Sequence, residues 1–184
     1  MALLIVVAIV VLLVAFVVVT YNALVAKRNR SQNAWAQVDV QLRRRYDLIP
    51  NLVESVKGYA SHEQSTFQAV TEARAAAQSA EGPAEQAQAE AALSGALGRL
   101  MAVAEAYPAL RATENFQQLQ AELGETEDKI ATARQIYNDT VLTYNNAVQQ
   151  IPTNIVAGIF RFKTREYFEV AAGDPAREPV AVEF

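Results

Sequence analysis

Residues 2–19, ALLIVVAIVVLLVAFVVV, are apolar without interruption and carry no charge. As a helix this run is about 27 Å long, close to the thickness of a bilayer's hydrocarbon core. It is apolar on all sides and sits at the extreme N-terminus, which argues against a buried helix of a soluble domain. A cleaved signal peptide would place basic residues before a shorter apolar stretch, and nothing basic precedes this one. Tyr21, just past the run, suits the headgroup interface. The expectation is an uncleaved transmembrane anchor over 1–20.

The flanking charges give the expected direction. Lys27, Arg28, Arg30, Arg43, Arg44 and Arg45 follow the run, with Asp39 the one acid between 20 and 46. Positive flanks stay in the cytoplasm. The chain is therefore expected to be single-pass in a bacterial inner membrane, N-terminus outside and C-terminal domain cytoplasmic. Residues 46–184 carry ten basic and nineteen acidic residues, a net −9 that repels nucleic acid. Lys27, Arg28 and Arg30 lie close enough to the span to meet anionic headgroups. Arg43–Arg45 are expected on a solvated helix face.

The body reads as helix. The Gly and Pro needed for many short strands are scarce. Trp35, Val38 and Leu42 recur at spacings of three and four, as do Leu93, Leu97, Leu100 and Ala104. Leu119, Leu123, Thr126, Ile130, Ala133, Tyr137, Tyr144 and Val148 form a longer, heptad-like face that resembles a coiled-coil seam. Gly82-Pro83, Pro108 and Pro152 mark helix boundaries. Asp47 to Pro50 reads as a tight turn or a kink, and Gly58 followed by Ser61-His62-Glu63-Gln64 allows a local break.

The expected fold is all-α: an N-terminal transmembrane helix continuing into an antiparallel up-and-down four-helix bundle. Its helices fall at roughly 21–47, 48–81, 83–106 and 113–150 (three long helices if Pro50 only kinks the chain). The expected core holds Trp35, Leu42, Leu52, Val56, Leu93, Leu100, Leu119, Ile130 and Tyr137. Three segments follow: an anchor over 1–20, a cytoplasmic bundle over 21–152, and a C-terminal apolar and basic segment with its tail over 153–184, which ends in a loop over 173–179 and the apolar Val182-Glu183-Phe184.

Chemistry is sparse. With no Cys there is no thiol nucleophile or thiolate metal site. The single His62 excludes a two-histidine metal site and leaves no second imidazole for a catalytic pair. Glu122, Glu125, Glu127 and Asp128 spread around more than one helix face and read as a solvated acidic surface, and Arg134 reads as the partner of an acid in the bundle. No catalytic residue, cofactor or metal is expected. Two Tyr-Asn pairs seven residues apart, Tyr137-Asn138 and Tyr144-Asn145, share one helix face, where the Tyr would pack and the Asn could tie to a neighbouring helix. Between 154 and 165, Ile155, Ile159, Phe160 and Phe162 mix with Arg161, Lys163 and Arg165, with no acid before Glu166. Apolar side chains beside cations suit an interfacial segment. The returning fourth helix would bring this segment to the membrane-proximal end, where it makes lipid or subunit contacts. The candidate contact residues are Lys27, Arg28, Arg30, Ile159, Phe160, Arg161, Phe162 and Lys163.

Several strings have a family likeness. They are Tyr21-Asn22-x-Leu24-Val25-x-x-Arg28-Asn29, then Ala34-Trp35-x-Gln37-Val38-Asp39-Val40-Gln41-Leu42-Arg43-Arg44-Arg45-Tyr46-Asp47-Leu48-Ile49-Pro50-Asn51-Leu52-Val53-Glu54 with Val56-Lys57-Gly58-Tyr59-Ala60 and His62-Glu63. Ala104-Glu105-x-Tyr107-Pro108, Asn115-Phe116, Ala133-Arg134-x-x-Tyr137-Asn138, Tyr144-Asn145 and Tyr167-Phe168-Glu169 continue the pattern. Over residues 20–184 the chain resembles the LemA family of bacterial membrane proteins. The resemblance implies a single N-terminal anchor, a cytoplasmic helical bundle and no enzyme activity. One branch of the family is involved in forming magnetosome membranes by invagination, which implies membrane shaping. The expected function is a membrane-anchored helical scaffold, self-assembling and engaged in envelope organisation. The alternative is a regulatory accessory of another membrane protein such as a protease or sensor. The expected partners are the lipid bilayer, further copies of the chain and other membrane proteins, with no nucleic acid.

Overall fold

A computed structural model describes residues 1–169. The loop expected over 173–179 and the apolar end at 182–184 lie outside the described residues. Among the described residues the chain forms six helices and no strand. They are α1 (Ala2–Lys57), α2 (Gln64–Ser79), α3 (Gly82–Glu105), α4 (Pro108–Arg111), α5 (Glu114–Gln149) and α6 (Thr153–Ile159).

Helix α1 is one piece of 56 residues. Residues 2–16 are exposed on every side. From Thr20 a buried stripe begins and runs through Leu24, Ser31, Ala34, Val38, Leu42, Ile49, Leu52 and Val56 at spacings of three, four and seven. Composition and packing thus change at the same place: the uninterrupted apolar run ends at Val19, and contact with the body begins at Val17 and Thr20.

The turn considered at 47–50 does not form, and this corrects the first two helix boundaries. Pro50 lies inside α1, and the break falls at 58–63. A proline within a helix supplies no N–H to the carbonyl four residues back. Here that carbonyl belongs to Tyr46, and it accepts a 2.8 Å hydrogen bond from Arg74 Nε on α2 instead. The acceptor that Pro50 orphans is satisfied from another helix, so α1 passes through. At 58–63 the amides of Gly58, Tyr59 and Ala60 return to the carbonyls of Glu54 and Val56, closing the helix.

The later boundaries lie close to the sequence expectation, at Gly82, Pro108 and Gln149. Gly82 has φ +83°, a conformation that glycine adopts without strain, and Pro83 then opens α3. Helix α5 packs along α1 in the opposite direction: Leu24 clusters with Ala147 and Val148, the tilted rings of Trp35 and Tyr137 lie 5.1 Å apart, and Arg45 meets Glu127. Helices α2 and α3 pack on each other and reach α1 around Arg45 and Tyr46. The main core holds Leu42, Leu52, Val56, Leu93, Leu100, Leu119, Ile130 and Tyr137, with Trp35 half-buried at its edge. A second, smaller cluster of Leu24, Val156 and Ala157 sits beside the apolar run.

Candidate functional site: the membrane-proximal end and its supports

The smaller cluster forms where α6 returns to α1. Val156 and Ala157 pack against Leu24, with Val17 and Phe162 at the margin. Tyr21 is bracketed by two aromatic rings, Phe160 at 4.7 Å and Phe162 at 5.6 Å between centroids. The Arg28 guanidinium stands 5.4 Å from the centre of the Phe162 ring, within cation–π range. Of the candidate residues, Arg28, Phe160 and Phe162 therefore come together around Tyr21. Ile159 and Arg161 flank them in chain order and are exposed, and Lys163 is exposed where the chain leaves. Lys27 and Arg30 line a separate shallow groove with Ile136, Asp139 and Thr143.

The turn after α6 is closed by two hydrogen bonds, Phe162 N–H to the Ala157 carbonyl and Arg161 N–H to the Gly158 carbonyl. This pattern normally places glycine at the left-handed position. Here Arg161 occupies it, with φ 56°.

Beyond the turn the chain runs back along α5 without helix, held by the two Tyr-Asn pairs. Tyr144 and Tyr137 donate their hydroxyls to the carbonyls of Lys163 and Glu166, both at 2.8 Å. Asn145 donates to the Arg165 carbonyl and accepts from the Arg165 N–H. Asn138 does the same with Phe168. The spacing explains the fit. Seven helical residues rise about 10.5 Å, and three extended residues rise about 10 Å. One heptad of α5 therefore matches three residues of strap. The expectation that these Asn tie to a neighbouring helix is corrected: their partner is the extended segment, which carries free peptide groups that a helix would not offer. Phe168, buried at the strap's end, packs on Trp35 and lies 6.0 Å from the Arg134 guanidinium, so Arg134 faces a ring where an acid was expected. Burial pushes the Tyr137 hydroxyl up to about 12 and raises that of Tyr144 as well.

Arg45 is the other correction. Expected in solvent with Arg43 and Arg44, it is 3% exposed. Its Nη1 donates to Glu90 at 2.8 Å and its Nη2 to Ser94 Oγ at 2.8 Å, and Nε lies 2.9 Å from Glu127. Tyr46 donates its hydroxyl to the second oxygen of Glu90, and Gln86 donates to Tyr46 Oη and the Ala77 carbonyl, both at 2.9 Å. Arg45 is buried because α3 brings hydrogen-bond acceptors to its two terminal nitrogens and α5 brings the Glu127 carboxylate beside Nε, which no local pattern around 43–45 displays. Burial, reinforced by Glu90, holds the Tyr46 hydroxyl far above the ordinary phenol range. Burial also raises the Glu127 carboxyl, with Arg45 opposing. Both terminal nitrogens of Arg45 are used internally, so the network ties helices together, while Nε is ion-paired with Glu127 without a hydrogen bond. Among the described residues no group of three or more His, Cys, Asp or Glu is placed to hold a metal.

The sequence pattern of the LemA family matches residues 34–184, which includes the Arg45 network, Pro50 and both Tyr-Asn pairs. The chain belongs to the LemA family. Its relatives include Magnetosome protein MamQ 2 of Paramagnetospirillum magneticum (strain ATCC 700264 / AMB-1), 32% identical over 90% of this chain and 71% of its own length. Magnetosome protein MamQ of Magnetospirillum gryphiswaldense is 31% identical over 88% of this chain and 71% of its own. Protein LemA of Metamycoplasma hominis is 26% identical over 74% of this chain and 63% of its own. The LemA-family motif residues include the two Tyr-Asn pairs that fasten the strap, and Arg45 and Tyr46 of the buried network.

Proposed function

We propose that this LemA-family protein is a membrane-anchored helical scaffold: a single-pass protein whose antiparallel bundle stands on the cytoplasmic face of the bacterial inner membrane and associates with further copies of itself. The observation that carries this reading is the continuity of α1. One helix serves as span and as first arm of the body, with no linker between them. The arm from Thr20 to Lys57 is roughly 57 Å long. A free-moving cytoplasmic module would sit on a flexible tether; a continuous helix suits an element that imposes an orientation.

Self-association is supported by an open, largely apolar groove of about 780 Å³ between α1 and α5, lined by Ala36, Val40, Ala133 and Ile136 among others. Val40 and Ile136 are exposed there, and neighbouring copies would cover them. The cations after the span support the cytoplasmic placement. That several relatives are named magnetosome proteins supports a part in membrane organisation. An enzyme is disfavoured by the internal use of the buried polar groups.

The test is the mass of full-length protein extracted in mild detergent, with and without Val40→Glu and Ile136→Lys. A uniform oligomer that the two substitutions dissociate supports the scaffold. A monomer at all concentrations favours the regulatory accessory.

A further inference from the structure

Helix α6 and its flanks leave a row of large apolar side chains uncovered. Ile155 and Ile159, one turn apart, are 61% and 66% exposed, and Phe160 beside them is 47% exposed. Ile151, on the turn before α6, is 83% exposed. The other side of α6 is fixed: Val156 and Ala157 pack on Leu24 with Val17 at the margin. Val17 belongs to the uninterrupted apolar run. Helix α6 therefore stands level with the last turns of that run, where α1 itself exposes Val18 and Val19. At this level both helices expose apolar side chains.

We propose that α6, with Ile151 and Phe160, is a second membrane contact, seated in the headgroup boundary of the leaflet that the body faces. The reading rests on residues 2–19 crossing the bilayer. Two observations select lipid as the occupant. Helix α6 packs on α1 at the end of the apolar run, so if lipid surrounds Val18 and Val19, Ile155 and Ile159 are exposed at the same depth. The rim is cationic, with Arg28, Arg161 and Lys163 around Tyr21, Phe160 and Phe162, the mixture of rings and cations found where chains meet headgroups. Arg161 adds weight, because it holds the left-handed position that glycine fills without strain. A cation kept where the backbone favours glycine points to a use for its side chain, here an anionic lipid phosphate.

Two attachment points do what one cannot. A lone span leaves the body free to tilt toward any of its sides. An immersed α6 fixes which side of α1 faces the leaflet, and it adds volume to that leaflet alone.

The chain has no cysteine, so single-cysteine variants report without background. Full-length protein carrying Ile155→Cys or Ile159→Cys is labelled with an environment-sensitive fluorophore and placed in phosphatidylcholine vesicles, with or without phosphatidylglycerol. Quenching by nitroxide lipids is compared with quenching by aqueous iodide. Val11→Cys marks the span and Ala109→Cys the exposed distal end. The expected result is lipid quenching at 155 and 159 at least half that at 11, with iodide quenching several-fold weaker than at 109. Phosphatidylglycerol should strengthen the lipid quenching, and Arg161→Gln with Lys163→Gln should abolish that increment. Labels at 155 and 159 that iodide reaches as easily as 109 overturn the proposal. So do labels shielded from both quenchers, which would mean that a second copy covers α6. No increment with phosphatidylglycerol overturns the anionic contact. A label at 11 that escapes lipid quenching removes the span itself, and the proposal with it.

Discussion

Asn145 holds both polar atoms of the Arg165 peptide, donating to its carbonyl at 2.9 Å and accepting from its N–H at 2.8 Å. A side-chain amide has the same donor–acceptor spacing as a strand edge, so it pairs with an extended residue as a neighbouring strand would. Asn138 repeats the device at Phe168, one heptad earlier on α5. A helix thus anchors a strand-like segment that has no sheet to join.

Removing either amide should free the strap locally. Asn145→Ala and Asn138→Ala are each expected to cost about 1–2 kcal/mol of local stability, because buried peptide groups lose their partners. Hydrogen exchange at the Arg165 and Phe168 amides should accelerate by an order of magnitude or more, while exchange in α2 and α3 stays unchanged. Unaltered exchange at both amides would show that the Tyr hydroxyls and the packing of the rings hold the strap without the Asn amides.

Arg74 should matter only because Pro50 is a proline. Arg74→Met keeps the stem but leaves the Tyr46 carbonyl without its donor, and is expected to cost about 1–3 kcal/mol. Pro50→Ala restores an N–H to that carbonyl from within α1. In the Pro50→Ala background the same Arg74→Met change should cost less than about 1 kcal/mol. Equal costs in both backgrounds, measured by chemical denaturation in detergent, would break the link.

The Arg45 network should be strongly non-additive. Arg45→Met strands Glu90 as a buried charge and is expected to destabilise by about 3–5 kcal/mol. Arg45→Met with Glu90→Met removes both charges and should recover much of the loss. Arg45→Lys should not rescue, since an ammonium cannot span Glu90, Ser94 and Glu127 from fixed positions. Thermal unfolding of the full set is the measurement.

Alkaline pH should loosen the body through Tyr137. Its folded value, pushed up to about 12 by burial, exceeds that of an unfolded phenol near ~10. The protonated form is the one the fold favours. The stability this contributes is complete below pH ~10 and is lost as pH rises through about 12. Tyr46 is raised in the same direction. Absorbance titration near the phenolate band should show delayed ionisation that Tyr137→Phe removes in part, and stability should fall less steeply above pH ~10 in that variant.

What the sequence displays is what local chemistry decides. Gly82-Pro83, Pro108 and Pro152 announce the ends of α3 and α5 because glycine and proline act on the residues beside them. The apolar spacings name Leu42, Leu93, Leu100, Ile130 and Tyr137 as core because one helix face is enough to bury them. Pro50 misleads because its lost hydrogen bond is made good by Arg74 on the next helix. Arg45 misleads because its acceptors, Glu90 and Glu127, come from two other helices and look like surface residues within their own segments. The Tyr-Asn heptad is visible as a pattern, but its partner is not. Matching seven residues to three requires knowing that the chain after Phe162 runs extended.

The unbroken α1 has a mechanical consequence. With residues 2–19 in a bilayer, as proposed, a helix that runs on to Lys57 without a joint is a lever with its fulcrum near Tyr21. Pushing the far end sideways by ~10 Å would incline the part within the bilayer by roughly 10°, given an arm of about 57 Å. In the proposed scaffold, crowding, pulling or twisting the distal ends of copies would then act as torque on the lipids around Val10 to Val19. The bilayer would feel the packing of a layer that never touches it.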